Sequence, residues 1–254
     1  MNKLGTMLSK LRVILFALLT LIASEAWAQT PTLEPNSPDN ARVPTVVFNY
    51  VWNSAQPPHY VIAVQSTGTA AYRSDPAPEK GEMAGDPYFT KFVVSEPTRT
   101  QIFELAKQAN YFKGSFDYTK SRIAQTGTKT LTYMEGPLVE NLNYPVQGRE
   151  NQASFNWSEN PAIQQLTKIF QNMSMTFELG RTLDFERRFD KLGLEATLKY
   201  AEEQQKQGNL QQLQVIAPVL KRIANDVSVM NIARERAKRL LAASTTQEIT
   251  HAAP

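Results

Sequence analysis

Prolines and aromatic residues are unevenly spread along this chain, and that unevenness constrains its fold more than any motif. Twelve of the fifteen prolines precede residue 161, and beyond Phe177 the only aromatic residues are Phe185, Phe189 and Tyr200. Proline breaks helix interiors, whereas aromatic and β-branched side chains fit pleated surfaces. The front of the chain therefore reads as strands divided by turns, and the back as helices. The expected fold is α+β: a mostly antiparallel sheet of about five to six strands with two packed helices, followed by a C-terminal helical hairpin or three-helix bundle.

The pattern supports this in detail. Val46, Phe48, Tyr50 and Trp52 alternate with Val47, Asn49 and Val51, the period of a strand with one aromatic face. Pro57 and Pro58 end it. Tyr60, Ile62 and Val64 mark a second strand, Ser66-Thr67-Gly68 a turn, and residues 69–73 the returning strand. A Pro- and Gly-rich loop covers 74–87, and 88–94 is a fourth strand. Ser95 and Pro97 open a helix carrying Ile102, Leu105, Ala106 and Ala109 at helical spacing. Residues 129–134 and 138–144 are expected to pair around Glu135-Gly136. Asn160-Pro161 opens a helix to about residue 175, and further helices are expected over 178–189 and 194–207, with Gly208-Asn209 as a stop. Pro218 should kink or split the apolar stripe from Leu213 to Ala224, and Met230, Ala233, Ala237 and Leu240 form a last helical face. An α+β domain over 45–177, a helical domain or cap over 178–243 and a frayed tail over 244–254 follow.

The first 28 residues address the chain. Lys3, Lys10 and Arg12 precede an uninterrupted apolar run over 13–23, and Ala26-Trp27-Ala28 offers small residues at a cleavage site. This is the pattern of a secretory signal peptide. A Pro-rich, polar tether over 29–44 is expected to be disordered or extended. The leader holds three of the chain's 27 Lys and Arg and one of its 24 Asp and Glu, so the mature chain carries 24 against 23 and its net charge falls from +3 to +1. That balance removes the charge argument for nucleic acid. There is no cysteine, which excludes disulfides, thiolate catalysis, Cys-zinc sites and a lipidated N-terminal cysteine. The expected location is periplasmic or extracellular, with no transmembrane segment after cleavage.

One stretch resembles an uncharacterised domain of exported bacterial proteins. The residues are Pro58-His59-Tyr60 opening a strand, Gly68-Thr69 at a hairpin turn, Tyr72 on the return strand, and Asn110-Tyr111-Phe112 after the first helix, followed by Tyr118. Thr130-Leu131-Thr132 with Glu135-Gly136 resembles that domain's second hairpin. The resemblance covers residues 46–175. Asn53 and Pro57 stand where such domains carry a cysteine pair. It implies fold and export, and no catalytic residue.

Candidate functional residues are few. His59 and His251 are the only histidines; any Ser-His-Asp triad would rest on His59, which as a residue beside two prolines is expected to be a surface or edge-strand histidine. No metal site or cofactor is expected. Asp117 and Glu135 could form a carboxylate pair for glycoside hydrolysis, and Arg122 could hold an anion. Tyr50, Trp52, Tyr60 and Tyr72 could stack on a sugar or a partner, but aromatics at period two are expected to be sheet core. Asn156 and Asn172 sit in Asn-x-Ser triplets. The functional expectation is an exported, non-enzymatic binding or interaction protein for an envelope or extracellular protein or glycan. The alternative is a histidine-independent hydrolase of envelope or extracellular polymers.

Overall fold

The computed structural model describes residues 42–76, 86–136, 138, 142 and 151–250, with side chains to residue 245. The expected leader, the tether up to residue 41, residues 251–254 and most of the expected strand over 138–144 lie outside the described residues.

Six antiparallel strands form one sheet in the order β4-β3-β2-β1-β5-β6. They are β1 (Pro44–Val51), β2 (His59–Gln65), β3 (Thr69–Asp75), β4 (Tyr88–Val93), β5 (Thr128–Glu135) and β6 (Gln152–Phe155). Register is pinned by the pleat: Phe48 faces Ile62 on one side and Leu131 on the other, and Tyr50 faces Tyr60. A one-residue slip would turn this whole aromatic set away from the core. Gly68, at φ +94°, ends the β2–β3 loop, and its N–H donates to the Gln65 carbonyl at 2.9 Å. β6 pairs with β5 through Leu131–Ala153 and Lys129–Phe155. Ala153 and Phe155 point into the core, whereas Leu142 packs with Val47, Val61, Ala63 and Ala71 on the opposite face of the sheet.

Helices α1 (Glu96–Gln108) and α2 (Pro161–Phe189) cover the aromatic face. Between α1 and β5, Asn110, Tyr111 and Phe112 are consecutive left-handed residues. Each such residue costs about 1–2 kcal/mol outside glycine. The turn places Phe112 fully inside the core and Tyr111 4.7 Å from the Tyr133 ring.

The two helices expected over 161–175 and 178–189 are one 29-residue helix, α2. No proline interrupts it, and its one glycine, Gly180, lies against Ile216: a Cβ there would come within 2.4 Å of Ile216 Cγ2. The expected domain boundary at 177/178 thus falls inside a continuous helix. Phe177 belongs to the sheet core, and Leu179 and Leu183 to a second core with α3 (Leu194–Lys206), α4 (Ala217–Asn225) and α5 (Asn231–Thr250). Gly208, at φ +71°, follows the end of α3. A 3₁₀ turn over Leu213–Ile216 precedes Pro218, which sits in the first turn of α4, where its missing N–H costs nothing. α5 runs to Thr250, beyond Ser244, where the sequence reading began a frayed tail. Among the described residues no helix is long and apolar enough to cross a membrane.

Candidate binding cleft

Where β5 and β6 begin and end beside the first turns of α2, two loops are knotted together by Lys129 and Asn156. Gly127 leads into β5 at φ +84°, with its Cα so close to Trp52 and Tyr50 that a Cβ would lie 2.6 Å from Trp52 Cβ. Only glycine fits there. Lys129 then turns its ammonium back over the loop. Its Nζ donates to the carbonyls of Thr126 (3.1 Å), Gly127 (3.0 Å) and Asn156 (2.8 Å) and to Thr126 Oγ1 (3.0 Å), and it sits 5.6 Å from the centre of the Tyr50 ring. Burial pushes the Lys129 pKa down to about 8. The carbonyl oxygens and the ring face oppose that desolvation and keep the ammonium charged at neutral pH.

Asn156 completes the knot. Its N–H donates to Asp117 Oδ1 at 2.8 Å, its Nδ2 to the Ala124 carbonyl at 3.1 Å, and its Oδ1 accepts from Thr126 N–H at 2.8 Å. Tyr50 hydroxyl donates to the Thr126 carbonyl at 3.1 Å. The result holds Trp157 outward. Its carbonyl accepts from Tyr118 N–H at 2.9 Å, its ring meets Tyr118 edge-on at 5.1 Å, and the residue stays 41% exposed. Three residues later Asn160 caps α2, its Oδ1 accepting from Ala162 and Ile163 N–H at 2.9 and 3.2 Å.

Between this knot and α2 lies a cleft of about 530 Å³, with Trp157, Phe155 and Ile163 as apolar walls and Thr167, Lys168 and Gln171 on the helix side. Thr167 Oγ1 is buried without a hydrogen-bond partner. Among the described residues the lining contains two lysines and no carboxylate. An apolar wall with a few convergent donors is the ordinary composition of a small-ligand site.

The residues singled out from sequence fall elsewhere or serve this cleft indirectly. Tyr60 and Tyr72 are core, set in a row of tilted rings with Tyr50 and Phe48 at 5.0–6.1 Å between centroids. Burial raises the Tyr60 and Tyr72 pKa values above the ordinary tyrosine range. Trp52 packs half-buried against the same core. Asp117 is a positioning group for Asn156. Glu135 lies at the far end of β5, six residues from Lys129, which at about 3.3 Å per residue puts it roughly 20 Å from the Asp117 end. That separation exceeds the roughly 5–9.5 Å a glycosidase pair requires, so Asp117 and Glu135 are not such a pair. Asp117 instead shares a small cleft of about 260 Å³ with Glu159, where Glu159 accepts from Lys120 at 2.6 Å and Asp117 is tied to Asn156. Arg122 is exposed on the 113–127 loop.

His59 is on a central strand, not an edge. Its Nδ1 is 2.5 Å from Asp75 Oδ2 and its Nε2 2.8 Å from Asn49 Oδ1. Burial raises the Asp75 pKa, but hydrogen bonds from His59 and Arg73 outweigh it and hold the carboxyl below its usual range. The Nε2 position that a nucleophilic hydroxyl would need is occupied by the Asn49 amide oxygen, so the group is a hydrogen-bonded clamp across β1, β2 and β3 and not a triad. The described residues contain no group of three His, Cys, Asp or Glu able to hold a metal. Both Asn-x-Ser asparagines are spent internally: Asn156 in the knot, and Asn172, buried in α2, donating to the Gly208 carbonyl at 3.2 Å.

Trp157 is the residue that sequence reasoning passed over. It lies in the run Phe155-Asn156-Trp157-Ser158-Glu159-Asn160, outside any periodic strand or helix pattern. A large aromatic among turn-forming residues next to a helix cap has no core face to join, and that was the available signal. No family model, no curated protein and no solved structure matches this chain.

Proposed function

We propose that this is an exported, non-enzymatic binding protein whose cleft takes a glycan of the cell envelope or its surroundings. The observation that carries the reading is the exposed Trp157 ring held beside a cleft lined by lysines, amides and hydroxyls without a carboxylate. A ring face stacks on the apolar side of a sugar, and the Gln171 amide with the Lys168 ammonium suits hydroxyl and anionic substituents. Export rests on the leader pattern of residues 1–28. A hydrolase draws no support from the geometry, because the candidate acids are either distant from one another or tied to internal partners.

The test is a glycan array probed with the purified protein and with Trp157→Ala. Selective binding to a sugar class that falls at least tenfold in the variant, with an unchanged far-ultraviolet circular dichroism spectrum, is the expected result. Equal binding by both proteins, or no binding at all, overturns the reading.

A further inference from the structure

The opposite end of the sheet carries a different kind of surface. β4 is an edge strand, and among the described residues no strand lies beyond it. Val94 N–H donates to the Gly68 carbonyl at 2.9 Å, and Ala70 pairs with Phe92 and Tyr72 with Thr90. In an antiparallel ladder hydrogen-bonded pairs alternate. Tyr88, Thr90 and Phe92 therefore bond inward to β3, while Phe89, Lys91 and Val93 turn their N–H and C=O groups away from the sheet. Unpaired edges are normally blunted. This one is six residues long, reads Tyr-Phe-Thr-Lys-Phe-Val, and leaves Val93 70% and Phe89 37% exposed.

A cleft of about 400 Å³ runs beside that edge. Tyr88 and Thr90 line it from the strand, the second half of α2 lines it with Arg181, Phe185 and Arg188, and Arg222 lines it from α4. Phe185 and Phe189 are 60% and 73% exposed, with ring centroids 5.1 Å apart. The lining holds three guanidiniums and one carboxylate, Asp184. Asp184 is already shared: Arg222 reaches its Oδ1 at 3.0 Å and Arg188 its Oδ2. Arg187 approaches it at 3.6 Å. Arg181 pairs with Glu178 at 2.8 Å, so the surplus of cations over Asp184 lies with Arg187, Arg188 and Arg222, beside exposed rings and a strand edge that has no neighbouring strand among the described residues.

We propose that β4 is an acceptor edge for an extended acidic segment of a partner protein. The segment adds as a seventh strand on the outward backbone groups of Phe89, Lys91 and Val93. Its alternate side chains place carboxylates towards the cleft, against Arg188 and Arg222, and the apolar residues between them lie on the opposite face, beside the exposed Phe89 and Val93. Main-chain bonds supply affinity in this mode, and the pockets for alternate side chains supply specificity. Guanidiniums suit carboxylates because they offer paired donors in one plane.

A displayed library of random ten-residue peptides selected on the purified protein tests this. The expected outcome is enrichment of sequences alternating Asp or Glu with apolar residues. Their binding should fall at least tenfold on Lys91→Pro, which removes one outward N–H and leaves the inward ladder intact. It should fall by a similar factor on the double variant Arg188→Gln with Arg222→Gln, which leaves the strand untouched. Thermal melting of each variant confirms folding. No enrichment, enrichment without acidic residues, or binding insensitive to both variants overturns the proposal. Because the Trp157 cleft shares no lining residue with this one, Trp157→Ala should leave peptide binding unchanged.

Discussion

The core under the sheet and the core among the C-terminal helices are made of different materials. Beneath the sheet lie Phe48, Tyr60, Tyr72, Phe92, Phe112, Phe170 and Phe177, together with buried polar contacts such as Tyr72 to Ser174 at 3.1 Å and to Glu178 at 2.8 Å. The helical core is Leu, Ile, Val and Ala, without an aromatic ring. Rings that stack and hydroxyls that need partners tolerate one arrangement; branched aliphatic groups tolerate several of similar volume. One helix serves both. The material changes within a single turn of α2, between Phe177 and Leu179, with no break in the backbone.

Truncations in the two cores test that link most strongly. Phe170 is fully buried and stacks on Phe48 at 5.1 Å with planes 5° apart. Phe170→Ala should cost about 3–5 kcal/mol, and Leu198→Ala, fully buried in the other core, about 2–5 kcal/mol. Because α2 is shared, each variant should lower one cooperative melting transition seen by calorimetry. Two separated transitions in either variant would show that the halves of α2 unfold independently.

Lys129 is next in size. Lys129→Met keeps the stem but removes every hydrogen bond of the ammonium and leaves the Gly127 carbonyl without that donor, while the Thr126 and Asn156 carbonyls keep the Tyr50 and Thr126 hydroxyls, an expected loss of about 1–3 kcal/mol. Its pH dependence has a definite sign. The folded pKa is about 8 against 10.5 for the free side chain, so between these values the unfolded chain binds more protons. Stability from this group is therefore lowest below pH 8 and rises through that window. The gap between wild type and Lys129→Met, measured by urea unfolding, should widen from pH 7 to pH 9.5. A constant gap would mean the ammonium titrates with its ordinary pKa.

How much was legible follows from the same contrast. Alternation in β1 to β3 is a local signal, and the aromatic face it implied is the face that is buried. The helices after residue 190 were legible from apolar spacing and from Gly208 and Pro218. β6 was not, since Gln152–Phe155 is four residues with one large apolar side chain and its pairing depends on Lys129 and Leu131 across the sheet. The unbroken α2 was missed because the change of core mimics a domain boundary in composition. For the sites, Asp117 was noticed as an acid but its role needs Asn156, 39 residues away. The Arg181, Arg188 and Arg222 group is likewise assembled by tertiary contact between α2 and α4.

Gly180 probes how tightly the two cores are locked. Alanine is the better helix former by about 1 kcal/mol, yet its Cβ would overlap Ile216 Cγ2. Overpacking of this kind typically costs about 1–3 kcal/mol, which gives a net loss of about 0–2 kcal/mol. Adding Ile216→Ala removes Cγ2 from the contact, so the double variant should lose less than the two single changes added together. Strict additivity would place the constraint at Gly180 somewhere other than Ile216.

The smallest effect tests whether the start of α2 belongs to the sheet side or only to the helix. Asn160 accepts from two N–H groups at the first turn, and Gln164 from that turn donates back to the Ser158 carbonyl at 2.8 Å, beside the Trp157 cleft. Asn160→Ala should cost about 1 kcal/mol, and Asn160→Asp, which keeps the acceptor and adds a negative charge at a helix N-terminus, should cost less or nothing. If the cap also fixes the cleft wall, Asn160→Ala will shift the Trp157 emission maximum in a Trp52→Phe background, and Asn160→Asp will not. An emission change shared by both variants would assign the effect to the amide nitrogen and not to the cap.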